Sequence, residues 1–286
     1  MEKWDLNGRV AVVTGATDGI GKVTARRLAA MGASVVMVGR NPEKTERARA
    51  DILKDHPEAI LETQIADLSS LAEIEALAAA IGERHAHLHI LVNNAGAMFT
   101  TRTLSVDGFE MTFALNHLSY FALTLRLLDR LKAGGPARIV NVSSVAHRRV
   151  TLDFDDLQME RRYRAFLAYG RSKLCNLYFT FALARRLDKH AVTVNALHPG
   201  FVASAFGNNN RAPMLRTALG LAKALAAVTP EKGARTSLYL AAAPDIEGVS
   251  GEYFEKCRIA RPSPEARLAD ASERLWAASA TMTGLG

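Results

Sequence analysis

Tyr169 and Lys173 stand four residues apart in Tyr169-Gly170-Arg171-Ser172-Lys173, inside a stretch of helix-like patterning that runs towards Leu187. At that spacing both side chains lie on one helical face and can approach each other. A free phenol titrates near pKa ~10 and is a poor acid or base at neutral pH. A nearby ammonium favours the phenolate and pulls that value down. A tyrosine tuned in this way can protonate a carbonyl oxygen as hydride arrives, or deprotonate an alcohol in reverse. Taken alone, the spacing equally fits a solvent-exposed pair. The elements around it decide.

Those elements alternate. Short apolar runs at Val10–Val13, Ser34–Val38, Leu61–Ile65, Ile90–Val92, Arg138–Val142 and Val192–Ala196 read as strands. Between the first four lie helix-like stretches from about Gly19 to Met31, Pro42 to about Lys54, and near Leu71–Glu83. Brief apolar runs separated by longer helical patterns indicate βαβ units and a parallel sheet covered on both faces. The right-handed crossover rule leaves the doubly wound α/β fold as the expectation. No linker or repeat divides the 286 residues, so one domain is expected over 1–286.

A second chemical signal sits where the first strand meets the first helix. Thr14-Gly15-Ala16-Thr17-Asp18-Gly19-Ile20-Gly21 offers a helix N-terminus to an anion, with free N–H groups and the helix dipole both favouring a pyrophosphate. Glycines let the backbone turn sharply and approach a ligand closely. Ordinary turn chemistry is the plainer reading, and the placement after strand one argues against it. The second strand ends Val38-Gly39-Arg40-Asn41. A carboxylate there would hold the adenosine ribose hydroxyls and favour NAD. Arg40 can instead pair with a 2′-phosphate, so NADP(H) is favoured over NAD(H). Its alternative is a solvated arginine at a strand end, and Asp18 adds no cation to help.

Composition excludes several other classes. The net charge of +7 is spread over scattered pairs such as Arg26-Arg27, Arg148-Arg149, Arg161-Arg162 and Arg185-Arg186, without a nucleic-acid recognition module. No apolar run is long enough to span a membrane, and the first residues do not resemble a signal peptide. With only two cysteines, Cys175 and Cys257, no structural disulfide is expected and a reducing cytoplasm is the default setting. His85-Ala86-His87-Leu88-His89 could place three imidazoles on one strand face, but no carboxylate or cysteine partner is apparent. A surface turn before a strand is the better reading, and no metal site is expected. His147 and His198 read as structural or peripheral to chemistry.

Taken in order, Thr14–Gly21, Asp67-Leu68, Asn93-Asn94-Ala95-Gly96, Asn116, Asn141-Val142-Ser143-Ser144, Tyr169 with Lys173, and His198-Pro199-Gly200 resemble the motifs of the short-chain dehydrogenase/reductase family. The match runs over almost the whole chain. It implies a catalytic set of Asn116, Ser144, Tyr169 and Lys173. Ser144, rather than the neighbouring Ser143, would hydrogen-bond the substrate oxygen, a small version of oxyanion stabilisation. Lys173 would hold the nicotinamide ribose and depress the Tyr169 pKa, and Asn116 would anchor a water relaying protons to Lys173. A polar helix residue capping a backbone kink is the plainer reading of Asn116.

The same resemblance assigns the cofactor to Gly15, Thr17, Asp18, Gly19, Ile20 and Gly21 in the turn, Arg40 and Asn41 after strand two, and Asp67 and Leu68 at the adenine. It adds Asn94, Ala95 and Gly96 on the adenosine side, and Pro199, Gly200, Val202 and Ser204 around the nicotinamide, together with Tyr169 and Lys173. Within the family the chain is most similar to the retinol-dehydrogenase-like branch. The similarity lies in the long Ser144-to-Tyr169 gap, Ser172-Lys173-Leu174-Cys175-Asn176, Leu197-His198-Pro199-Gly200, Gly251-Glu252-Tyr253-Phe254 and Leu275-Trp276. The implied activity is hydride transfer between NADP(H) and a lipophilic ketone, aldehyde or alcohol. An apolar substrate lid near 203–230, a C-terminal extension near 256–286 and a homodimer or homotetramer built on the Tyr169–Leu187 helix complete the expectation. The alternatives are a non-turning redox sensor with the same pocket, and epimerisation or dehydration on the same fold.

Overall fold

The residues Val10–Thr14 form a strand, β1, whose buried side chains point alternately to two covered faces, the setting that suits β-branched residues. The computed structural model describes residues 4–200 and 229–285. Within them, β2 (Ser34–Gly39), β3 (Leu61–Ile65), β4 (Ile90–Asn93), β5 (Ala137–Val142), β6 (Val192–His198), β7 (Tyr253–Glu255) and β8 (Arg258–Ile259) join β1 in one eight-stranded sheet. The strand order is β3-β2-β1-β4-β5-β6-β7-β8, parallel from β3 to β7. The chain builds outward from β1 to β3, then crosses back to β4 on the other side of β1. That reversal opens a crevice at the carboxyl ends of β1 and β4.

Helices cover both faces. On one, Leu28 of α1 (Gly19–Ala30), Ile52 of α2 (Pro42–Asp55) and Leu238 of the helix Pro230–Ala242 join the same buried cluster as Val13, Met37 and Val140. On the other, α3 (Leu71–Arg84), α5 (Ser119–Ala133) and α6 (Ala165–Arg186) contribute Ile81, Phe121 and Phe179 to a cluster holding Val12, Val36 and Ile139. Adjacent strand residues thus serve opposite cores, which is why the strands are continuously apolar. The doubly wound, single-domain α/β expectation is borne out.

Three features depart from the sequence reading. β8 runs antiparallel to β7, because Lys256 and Cys257, at φ 52° and 60°, form a two-residue turn with both positions in the left-handed region. Between the short helical turn α4 (Met111–Phe113) and α5, residues Ala114–Leu118 form a π-helical turn that carries Asn116. The C-terminal segment folds into a helix, Ala269–Thr283, closed by Gly284 at φ 67° in a left-handed cap. Trp276 of that helix lies 5.0 Å from Phe121 and 6.0 Å from Phe179, ring centre to ring centre, with Arg186 4.1 Å above it. Glu273 bridges Arg185 and Arg186. The outer side of α6 is therefore covered by the chain's own C-terminal helix.

Candidate active site

The glycine turn is held by the neighbouring strand as much as by its own residues. Thr14 Oγ1 accepts from the backbone N–H of Asn94 at 2.9 Å and of Ala95 at 3.0 Å, and Asn94 Nδ2 donates to the Thr14 carbonyl at 2.9 Å. Gly15 has φ 65°, and a Cβ there would come within 3.0 Å of the Ala95 backbone. At Gly21 a Cβ would lie 2.2 Å from the Gly15 carbonyl, so the first turn of α1 packs directly on the loop that precedes it. Asp18 caps α1, accepting from Gly19 N at 2.7 Å. Thr17 sits on the turn beside the end of β2, and Ile20 packs partly buried against the α1 core.

At the outer end of the same edge, Arg40 and Asp67 meet, Nη1 to Oδ2, at 3.8 Å with the arginine side chain 61% exposed. Asp67 Oδ1 is held by the Ser69 N–H and hydroxyl at 2.9 and 2.7 Å. A Cβ at Gly39 would lie 2.2 Å from Thr45 Oγ1 and 2.6 Å from Thr17 Cγ2, so any larger residue there would have to displace both threonines. Asn41 is committed locally, its Oδ1 accepting from Lys44 N at 2.9 Å as the cap of α2. Leu68 is buried in the core with Val38 and Ile74.

The catalytic candidates converge at the ends of β4 and β5. Tyr169 and Lys173 lie on α6, with Lys173 Nζ 5.7 Å from the Tyr169 ring centre and 5.6 Å from that of Tyr120. Ser144, in extended backbone just after β5, hydrogen-bonds the Tyr169 hydroxyl. Gly170 makes this approach feasible, since a Cβ there would meet the Ala146 carbonyl at 2.9 Å and Val150 at 2.8 Å. A mid-helix glycine costs about 0.5–1 kcal/mol relative to alanine; here it lets the Ser144 turn dock on α6. Ser143 points elsewhere, its hydroxyl donating to the Lys173 carbonyl at 2.8 Å. Geometry thus separates the two serines.

Lys173 is buried and its ammonium donates to the Val142 carbonyl at 2.9 Å. Burial pushes this amine down to about 7. Burial likewise pushes Tyr169 up to about 12, opposed by the hydrogen bond with Ser144. The Tyr169–Lys173 spacing does bring the ammonium to the tyrosine ring, 5.7 Å from its centre. Asn116 braces the next segment: Oδ1 accepts from Ala97 N at 2.8 Å, while Nδ2 donates to Ala97 O and Ser172 Oγ, both at 2.9 Å. One Oδ1 lone pair is left for a water. The kink-capping reading of Asn116 also holds, since the residue sits within the π turn.

Beneath these groups runs a polar chain that the sequence reading did not single out. Asn93 Nδ2 donates to Thr124 and to Asn141 Oδ1, Asn141 Nδ2 to Thr180, and the Thr180 hydroxyl to the Asn176 carbonyl, at 2.7–2.9 Å throughout. All are buried. Asparagines inside otherwise apolar strands were the available signal.

Gly96 is close to both Asn116 and Lys173, where a Cβ would lie 3.1 Å and 3.5 Å from Oδ1 and Nζ. Pro199 and Gly200, the latter at φ 88°, follow β6 at the same sheet edge. Val202, Ser204 and nearly all of the expected lid near 203–230 lie outside the described residues. The histidine run is the turn before β4, with His85 Nε2 on Glu62 at 3.0 Å and His89 Nδ1 accepting from Val10 N at 3.0 Å. Among the described residues no metal-binding group of three side chains occurs, and no helix is long and apolar enough to cross a membrane.

Read across the sheet, Asp67, Arg40, Gly15, Asn94, Ser144 and Pro199 follow β3, β2, β1, β4, β5 and β6 in spatial order. Five inter-strand steps of about 4.8 Å make an edge about 24 Å long. That length, the close-packed glycine turn and the charged outer end fit an elongated dinucleotide.

A family model described as short chain dehydrogenase matches residues 9–214. Human retinol dehydrogenase 13 is 42% identical over 287 residues, covering 99% of this chain and 87% of that protein. The crystal structure of an uncharacterised protein from Mycobacterium paratuberculosis superposes with a TM-score of 0.78 at 32% identity, covering 99% of this chain and 96% of the other. The Pseudomonas aeruginosa RhlG/NADP active-site complex has a TM-score of 0.70 at 28% identity, covering 93% and 100%. The chain belongs to the short-chain dehydrogenase/reductase family, in its retinol-dehydrogenase-like branch, and is an oxidoreductase of that family.

Proposed function

We propose that this protein is an NADP(H)-dependent oxidoreductase interconverting a lipophilic ketone or aldehyde and its alcohol. The observation that carries this reading is the contact between half-buried Tyr169 and Ser144 beside buried Lys173, at the sheet edge shared with the glycine turn. The turn from Gly15 to Gly21 would hold the pyrophosphate, Asp67 the adenine, and Arg40 a 2′-phosphate. The NADP in the RhlG complex supports that cofactor choice. When bound, the nicotinamide supplies or accepts hydride at the substrate carbon.

The chain's own residues handle the oxygen and its proton. In the reducing direction, Ser144 donates a hydrogen bond to the carbonyl oxygen and Tyr169 Oη delivers its proton there. The phenol is protonated at neutral pH, the state needed to donate, and the Ser144 hydrogen bond acts against the upward pull of burial. Lys173, near its own midpoint at about 7, can return a proton towards Tyr169 and hold the ribose. Asn116 keeps one acceptor for a water on that route. The set of four stands together, so no observation favours the redox-sensor reading.

The expected homodimer or homotetramer needs restating. Pairing through the outer side of α6 would require displacing Trp276 and Glu273 from it, so we assign assembly to another surface.

The test is to titrate purified protein with NADPH and NADH separately, then follow reduced-cofactor absorbance with a panel of apolar ketones and aldehydes. Tighter NADPH binding with turnover of bulky carbonyls is expected. Binding of neither nucleotide, or equal use of both, would overturn the reading or its cofactor assignment respectively.

A further inference from the structure

Two histidines grip one peptide group. The Ser144 carbonyl accepts from the His147 backbone N–H at 3.2 Å and also contacts His147 Nδ1 at 2.5 Å. The other end of that same peptide, the Val145 N–H, donates to His198 Nδ1 at 3.4 Å. On its far side, His147 Nε2 accepts from the Ser263 N–H at 3.1 Å. Backbone N–H groups only donate, so both tautomers follow. His147 carries its proton on Nδ1 with Nε2 bare. His198 has a bare Nδ1.

Resting on the Ser144 role given above, we infer that His147 and His198 are positioning residues that fix the Ser144–Val145 peptide plane and thereby aim the Ser144 hydroxyl. The plane contains the Ser144 Cα, so holding it at both ends fixes the root of the side chain. The remaining freedom, rotation about the side-chain bond, is limited by the Ala146 N–H, which donates to Ser144 Oγ at 3.2 Å.

The grip is itself well supported. His147 is completely buried and its ring stands edge-on to Tyr253 at 5.2 Å. Charged neighbours come from the same turn and from β7, where Arg148 and Glu255 pair at 2.9 Å and Glu255 also accepts from the Tyr253 hydroxyl. Burial holds both imidazoles below the usual histidine range, His198 at about 4, so both are neutral at pH 7. Ser263 belongs to the C-terminal segment, which thus reaches the site through His147.

Asparagine and glutamine separate the two halves of His147. His147→Asn keeps a donor near the Nδ1 position and loses the acceptor for Ser263; His147→Gln does the reverse. Turnover of an apolar ketone with NADPH should fall about 10- to 100-fold in His147→Gln, the range for disturbed supporting contacts, with NADPH affinity unchanged. His147→Asn should recover most of kcat. If glutamine serves as well as asparagine or better, His147 only docks Ser263 and the inference fails.

His198→Asn, which keeps an acceptor, against His198→Leu decides the same point should the buried His147 variants not fold. In a Ser144→Ala background, His147→Gln should add little further loss. Full turnover by Ser144→Ala alone would overturn the assigned role of Ser144 and this inference with it. Impaired Ser144→Ala without the asparagine–glutamine difference would overturn only the grip. Imidazole nitrogen NMR of the free protein gives a reading independent of turnover: Nδ1–H at His147 and Nε2–H at His198, the opposite tautomers excluding it.

Discussion

The two ends of the sheet's carboxyl edge are built on different principles. At the outer end, Arg40 and Asp67 face each other at 3.8 Å with water around them. At the inner end, Asn116 and Lys173 are buried, and Lys173, Asn93 and Asn141 all have direct hydrogen-bond partners. An exposed pair is screened and contributes about 0–1 kcal/mol before a ligand arrives. A buried polar group whose partner is removed is left unsatisfied, at a cost of about 1–3 kcal/mol. The outer end can change its preference without disturbing the fold, whereas removing a buried inner partner such as Lys173 affects both geometry and chemistry.

Lys173→Met should break the inner end most severely. Turnover should fall about 10²- to 10⁴-fold, the span of lost acid–base function, and nucleotide affinity should fall with it. Steady-state kinetics and fluorescence titration check both; unchanged affinity would remove the ribose from its role. Trp276→Ala should destabilise the fold by about 2–3 kcal/mol, below the full core range because the ring is only partly buried, through loss of the Phe121 and Phe179 contacts. Denaturant unfolding measures this, and a change within error would mean the C-terminal helix is not part of the core.

Arg40→Asp should leave stability nearly intact while moving preference towards NADH. The lost charge-assisted bonds are each worth about 1.5–3 kcal/mol, about a ten- to hundredfold change in the NADPH/NADH ratio of kcat/KM. An unmoved ratio takes Arg40 out of cofactor choice. The fold should also show acid sensitivity. Burial holds His117 at about 3 and His198 at about 4. Unfolded histidines protonate near pKa ~6.5. Their contribution is therefore complete above that value and lost as pH falls towards 4 and then 3, because the unfolded chain takes up the protons first. Tm should drop between about pH 8 and about pH 5, and a flat profile would contradict it.

What was legible in the sequence was local. Val10–Thr14, the glycine turn and the Tyr169–Lys173 spacing each announce themselves within a few residues, and β3 begins and ends where its apolar pattern does. What could not be read depends on partners far along the chain. The Ser144 peptide is gripped by His147 and His198, and His147 by Ser263; only the folded sheet brings them together. The Lys256-Cys257 turn contains no glycine or asparagine, so its left-handed backbone carries no sequence signal. Burial was equally illegible: the Tyr169–Lys173 spacing says nothing about how far Lys173 lies from water.

The central claim is that Tyr169 moves the proton while the sheet edge holds the nucleotide, and Tyr169→Phe separates the two. Measured side by side with the unaltered protein, the variant should bind NADPH with nearly the same affinity and lose almost all turnover of a carbonyl substrate. Retained turnover would contradict the assignment of the proton to Tyr169, and equal loss of binding and turnover would contradict the division between the two ends of the site.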